Sequence, residues 1–342
     1  MHGVGLIHCY PREVRVFRSE SSGSFTFVSS SPWCWPFIAV IVLLSTPLLE
    51  ESEYQVSDYV SAVAPPRIID VAQKGLKGKA SKGLGTIFIS AMFAGAMIAL
   101  GFVFFTTVNT GMGDVPFGIK KLLGGFVFSC GLGMVVLTGA DLFTSTSMTT
   151  LLAVENKLSP SRLLTHWLVV YCGNFVGALL VVFGLYGAGT AQQADGAWGA
   201  VIVSTATAKV NHGWFEALLL GIFCNVMVCL AVWLSFAGRS LTDKIVAVTL
   251  PIALFVGSGF EHSVANMFMI PFGLLLKAQG NPDVIAATNG LDLSNLTMGG
   301  FLWDNLLPVT IGNIIGGSIV ALGMLAMNPN RPSLKAEKEA AK

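Results

Sequence analysis

Charge is what this 342-residue chain has least of: 11% of its residues are Asp, Glu, Lys or Arg, against roughly 25% in a soluble domain. So small a charged fraction leaves too little polar surface to hold the chain in water. A soluble enzyme and a disordered chain are excluded. Twenty Lys and Arg against nineteen Asp and Glu give a formal net charge of +1, so no nucleic acid or other polyanion is expected as a partner. Cysteine is scarce as well. Cys9, Cys34, Cys130, Cys172, Cys224 and Cys229 show neither metal-ligand spacing nor a disulfide framework, and inside apolar runs they read as small hydrophobes. The zinc-type H-E-x-x-H is absent, as is a matched aspartate pair, so a membrane-embedded enzyme lacks its chemistry. No metal or cofactor is implied.

What abounds is apolar: 53% hydrophobic residues, with 38 glycines. A helix crossing the hydrocarbon core needs about 20 such residues, and six stretches qualify: 85–108, 122–140, 163–186, 214–237, 244–276 and 302–327. The second stops at Asp141 and resumes near Met148–Val154. The fifth is interrupted at Glu261-His262-Ser263 and resumes at Met267. The expected fold is an all-α membrane protein with six transmembrane helices, the second and fifth broken.

Basic residues set the orientation. They gather before the first span (Arg67, Lys74, Lys77, Lys79, Lys82), in two connections (Lys157, Arg162, Arg239, Lys244) and in the tail (Arg331, Lys335, Lys338, Lys342). The opposite side carries only Lys120, Lys121, Lys209 and Lys277. The positive-inside rule then puts both ends of the core in the cytoplasm. The expected divisions are an N-terminal appendage over 1–52, a cytoplasmic amphipathic segment over 53–84, a channel domain over 85–328 and a cytoplasmic tail over 329–342. The apolar run Pro32–Leu49 follows Arg12, Arg15 and Arg18, so spanning the membrane would strand those arginines outside. It reads as an appendage of no functional weight, translated from upstream of the natural start, with an interfacial anchor as the alternative.

The chain repeats itself. Gly173-Asn174-Phe175-Val176-Gly177-Ala178 and Gly312-Asn313-Ile314-Ile315-Gly316-Gly317 share the pattern G-N-x-x-G-small, in the third and sixth spans. Small residues four apart let helix backbones approach closely in a membrane. The breaks also match, Leu142-Phe143-Thr144-Ser145 against Phe260-Glu261-His262-Ser263. Three spans per half is an odd number, so the two three-helix repeats must be inverted. Paired broken helices in inverted repeats place a transport site near the bilayer midplane.

His262 stands at the centre of that site, because ionisable groups at membrane depth are functional by default. Thr144, in the other break, offers a hydroxyl that both donates and accepts; a helix-restart cap is its plainer reading. Glu261 reads as an orienting partner, since an unpaired buried carboxylate is costly. Phe128, Leu132, Leu142, Phe143 and Phe255 are either plain core or apolar constrictions flanking the histidine. Lys209, alone in its outer loop, either draws anions to the mouth or is simply solvated.

The sequence resembles the formate/nitrite transporter family from about Ser57 to Met327. The resemblance is carried by Gly139-Ala140-Asp141-Leu142-Phe143-Thr144-Ser145-Thr146, by Ala231-Val232-Trp233 through Gly238-Arg239-Ser240, by Gly259 through Pro271, and by Pro308 through Gly317. It implies an aquaporin-like protomer in a homopentamer, with one pore through each protomer. It implies that His262 is the pore histidine with Thr144 as its partner, that Lys209, Asn225 and Glu261 are the vestibule lysine and the groups linked to the histidine, and that the aromatic and leucine set lines constrictions. It also implies a gating helix around Ser57–Lys82. The function expected is a passive or proton-coupled channel for formate and similar small monovalent anions in the bacterial cytoplasmic (inner) membrane, with His262 handling protonation of the anion by giving it a hydrogen bond or a proton, its partners being the anion, protons and lipid. The alternatives are a nitrite or hydrosulfide channel and, further off, a water- or glycerol-type channel.

Overall fold

The computed structural model describes residues 2–9, 12–18, 25–28 and 62–329. They fall in two compact units, Met1–Ser61 and Ala62–Lys342. The Pro32–Leu49 run and the tail beyond residue 329 lie outside the described residues.

The first unit holds a three-stranded antiparallel sheet: β1 (His2–Cys9), β2 (Arg12–Arg18) and β3 (Phe25–Val28), in that order. Cys9 faces Arg12, and Arg15 faces Val28. The all-α expectation did not foresee these strands. A search for long apolar runs passes over a segment such as Glu13-Val14-Arg15-Val16, whose alternation is the strand signal.

The second unit is all-helical. An amphipathic α1 (Pro65–Ala80) buries Ile68, Ile69, Ala72 and Leu76, spaced three and four apart as one helix face requires. Then follow α2 (Leu84–Asn109), α3 (Phe117–Thr138) and, after an irregular stretch, the short α4 (Phe143–Thr146) and α5 (Thr150–Val154) joined by a 3-10 turn. The long α6 (Pro160–Gly187) leads to α7 (Ala197–Val210) and α8 (Trp214–Ala237). Next come α9 (Leu241–Gly257), α10 (Ser263–Gln279) and a short α11 (Pro282–Ala286). A π-helical turn over Gly300–Leu306 runs directly into α12 (Leu307–Ala326).

Among the described residues, five helices are long and apolar enough to cross a membrane: α2, α3, α6, α8 and the Gly300–Ala326 run. The fifth stretch of the sequence is instead divided into α9 and α10, of 17 residues each. The connection 188–213 is no plain loop either, since α7 folds back into the protein and buries Trp198, Ile202 and Val203.

Glycines allow two helix pairs to touch backbone to backbone, α2 with α6 and α8 with α12. A Cβ on Gly177 would collide with the Met92 carbonyl oxygen, and one on Gly316 with that of Ile222. The two helices that end before a break, α3 and α9, are followed by Gly139 at φ 71° and Gly259 at φ 76°. That left-handed conformation is open to glycine at no steric penalty.

Candidate channel site

Each break is held by one asparagine, and the two asparagines do the same thing. The Asn174 carboxamide on α6 accepts from the Phe143 N–H at 2.8 Å and donates to the carbonyls of Asp141 and Ala91 at 3.0 and 2.7 Å. The Asn313 carboxamide on α12 accepts from the Ser263 N–H at 2.9 Å and donates to the carbonyls of Glu261 and Gly221 at 3.0 and 2.8 Å. A helix start at membrane depth exposes N–H groups that water cannot reach, and something in the protein must satisfy them. The G-N-x-x-G pattern therefore has two jobs. Its glycines close the helix pair, and its asparagine pins the broken strand of backbone.

The pinning also sets the register between the halves. Asp141 corresponds to Glu261 and Leu142 to His262, two residues away from the alignment that paired Thr144 with His262. Thr144 and His262 meet across the break rather than by equivalence: Thr144 Oγ1 lies 3.1 Å from His262 Nε2.

His262 is the N-cap residue of α10, extended at φ −114° and ψ 112°, and its Nδ1 accepts the Ala265 N–H at 3.0 Å. A ring nitrogen that accepts carries no proton, so the neutral ring holds its proton on Nε2, which faces Thr144. The ring also stacks on Phe255, centroids 6.0 Å apart. Thr144 is fully buried and caps nothing, for the start of α4 is Leu142. Its carbonyl accepts from Asn225 Nδ2 at 3.1 Å and from Ser147 Oγ at 2.6 Å. Asn225, which also donates to the Asn313 carbonyl, thus belongs to Thr144 and not to the histidine.

Glu261 is buried and fully engaged. Lys209 Nζ donates to Oε1 at 2.7 Å, while Asn266 and Asn305 donate to Oε2 at 2.7 and 3.0 Å. Lys209 is therefore neither a solvated loop lysine nor a free cation: α7 carries it inward against Glu261, 5.7 Å from the Phe102 ring. Asp141, the counterpart, is equally buried and faces Lys82 at 3.1 Å and Lys79 at 3.7 Å. Burial pushes the Lys79 ammonium below the usual lysine range, with Asp141 opposing the shift.

A cavity lies on either side of the Thr144–His262 contact. One, of about 140 Å³, is lined by Lys209, Glu261 and His262 with Phe102, Phe128 and Phe255. The other, of about 160 Å³, is lined by Lys79, Ser145, Thr146 and His166 with Val135 and Val136. The five residues expected at constrictions divide accordingly. Phe128 and Phe255 face the first cavity, whereas Leu132, Leu142 and Phe143 are buried and line neither. The Phe143 ring packs edge-on against Tyr171, centroids 4.8 Å apart.

Sequence reading placed Asn174 and Asn313 in the repeat without giving them a job, and gave none to Asn266 or Asn305. The available signal was an amide inside an apolar run, which is costly to bury there unless its hydrogen bonds are met.

Residues 66–327 match the family model described as formate/nitrite transporter. The formate channel FocA of Haemophilus influenzae is 44% identical over 260 residues, which span 75% of this chain and 92% of that protein. FocA of Escherichia coli K12 is 46% identical over 258 residues, spanning 75% and 90%. Among solved structures, a pentameric formate channel with formate bound superposes with a TM-score of 0.65 at 39% identity, covering 71% of this chain and 96% of that one. An FNT family ion channel superposes with a TM-score of 0.63 at 25% identity, covering 75% and 98%. With more than half its length matched and its long apolar helices arranged as in those channels, this multi-pass membrane protein belongs to the formate/nitrite transporter family.

Proposed function

We propose that the chain forms a formate channel, with one pore through each protomer of a homopentamer in the bacterial inner membrane. The observation that carries this reading is the His262–Thr144 contact, made between two broken helices with a cavity on each side. The likeness to formate channels, one of them pentameric, supports the substrate and the assembly. Each protomer has six spans in two inverted three-helix repeats, an aquaporin-like plan, with α9 and α10 together making the broken fifth. The matched duties of Asn174 and Asn313 support the repeat. The basic residues put both ends of the core in the cytoplasm.

An anion entering from the Lys209 side meets aromatic walls and leaves most of its water behind, which disfavours the charge. His262 Nε2–H and the Thr144 hydroxyl offset part of that penalty by donating to its oxygens. The histidine acts here as a hydrogen-bond donor. Losing the Nε2 proton from a neutral ring would leave an imidazolate, and gaining one at Nδ1 would break the α10 cap. The proton that turns formate into a neutral acid therefore comes from the aqueous side, and acidification feeds the pore by raising the acid fraction. Lys209 belongs to the frame that holds Glu261 below the histidine, and the paired charges cancel.

The test is [14C]formate uptake by proteoliposomes at acidic and neutral external pH, wild type beside His262→Asn. Uptake that rises on acidification and falls at least tenfold in the variant supports the reading. Equal uptake in the two proteins removes the histidine from the pathway, and no formate uptake from folded protein removes the substrate.

A further inference from the structure

Pro251 has no N–H to give to the α9 ladder, and beside it α8, α9 and α12 leave a groove of about 470 Å³ on the outside of the bundle. Its walls are apolar throughout, with Met227, Leu230 and Trp233 on α8, Leu250 and Leu254 on α9 and Met324 on α12. Leu250 and Leu254 are mostly exposed. Trp233 and Met324 stand within about one turn of the ends of their helices. Leu254 stands about 20 Å along α9 from its start. The groove therefore runs from near the membrane surface toward the middle of a hydrocarbon core ~30 Å thick.

At the surface end waits a cation. Lys244 lies seven residues before Pro251, so the two share one face of α9. Helical side chains lean toward the helix N-terminus, which aims the ammonium at the membrane surface. Lys244 is half-buried, and no acid among the described residues pairs with it. The adjacent Asp243 spends Oδ2 on the N–H groups of Arg239 and Ser240, at 3.1 and 3.0 Å. A partly desolvated, unpaired ammonium calls for an anion, and the groove about 10 Å deeper calls for hydrocarbon. A phospholipid of net negative charge joins the two in one molecule. Anionic lipids attract basic residues beside the cytoplasmic surface, the side to which the basic residues assign this end of α9. A neighbouring protomer would cover the apolar walls but would also have to bring an acid to Lys244.

We propose that the groove between α8, α9 and α12 binds one acyl chain of an anionic phospholipid whose phosphate sits on Lys244. The probe is phosphatidylglycerol carrying a diazirine midway along one acyl chain, added to phosphatidylcholine liposomes that hold the full chain in its oligomer. After illumination, mass spectrometry of proteolytic peptides maps the labelled residues. Label should concentrate at 227–234 and 250–254, at least threefold above that from the same acyl chains on phosphatidylcholine. Lys244→Gln should abolish this headgroup preference, and Lys244→Arg should keep it.

Equal labelling by the two headgroups, or a preference that survives Lys244→Gln, overturns the proposal and leaves ordinary bilayer lipid in the groove. A groove without label overturns it as well. So does a benzophenone attached at Leu250→Cys that links two copies on illumination, because a neighbouring protomer then fills the groove. Unfolding temperature and oligomer size are compared for each variant, and the headgroup comparison on the unsubstituted chain decides if Lys244→Gln does not fold. No flux is read, so the outcome is independent of what the pore carries.

Discussion

At the scale of single residues, His262 has two bonds to make and makes both with different nitrogens. An asparagine at this position keeps the first, because its side-chain oxygen is a good N-cap, and is too short for the second. His262→Asn should therefore unfold within about 1 kcal/mol of wild type while formate uptake falls at acidic and neutral pH alike, which a thermal melt beside the flux assay reads. Glu261 presents the opposite case. Removing its charge leaves Lys209 buried and unpaired, and breaking such a pair costs about 3–5 kcal/mol. Glu261→Gln should lower the unfolding temperature in detergent sharply. Glu261→Gln combined with Lys209→Met should recover much of it; a double variant no more stable than the single one would contradict the pairing.

Among the helical elements, the decisive contacts are those that let a helix stop in mid-membrane and start again. Asn313→Ala orphans the Ser263 N–H and two carbonyls, at about 1–3 kcal/mol for each group left dry. It should destabilise the protein and disturb His262, whereas Asn174→Ala should do the same on the Asp141 side. Retention of wild-type unfolding temperature by both variants would deny the pinning. The close helix pairs give a sharper contrast. Gly316→Ala forces a methyl into the Ile222 carbonyl, while Gly184→Ala on α6 meets nothing within 4 Å. Overpacking costs roughly 1–3 kcal/mol, so the first should lower the unfolding temperature and the second leave it alone.

For the whole molecule, the helical unit begins at Ala62 and the family match at residue 66. Removal of residues 1–61 should leave formate flux and the oligomer unchanged. The same preparation, sized by light scattering in detergent, should give five protomers, and a monomer or trimer would refute the assembly. Large exposed side chains such as Phe93, Phe183, Leu250 and Trp303 are what lipid and neighbouring protomers are expected to cover.

Composition alone determined that the chain lives in a membrane, because burying or greasing a surface is a property summed over residues and needs no coordinates. Runs of apolar residues placed the long helices to within a few positions, and the interruptions at Asp141 and Glu261-His262-Ser263 marked both breaks, since charge at depth is conspicuous in one dimension. The meeting of Thr144 with His262 across 118 positions of chain was suggested by the matched breaks and named by the family likeness. What lies behind it was not. The tertiary structure alone decided that Lys209 is bonded to Glu261, that Asn225 serves Thr144, and that Asn174 and Asn313 pin the breaks. Each depends on which groups a three-dimensional packing brings within about 3 Å, and a hydrogen bond leaves no periodicity in the sequence for pattern reading to find.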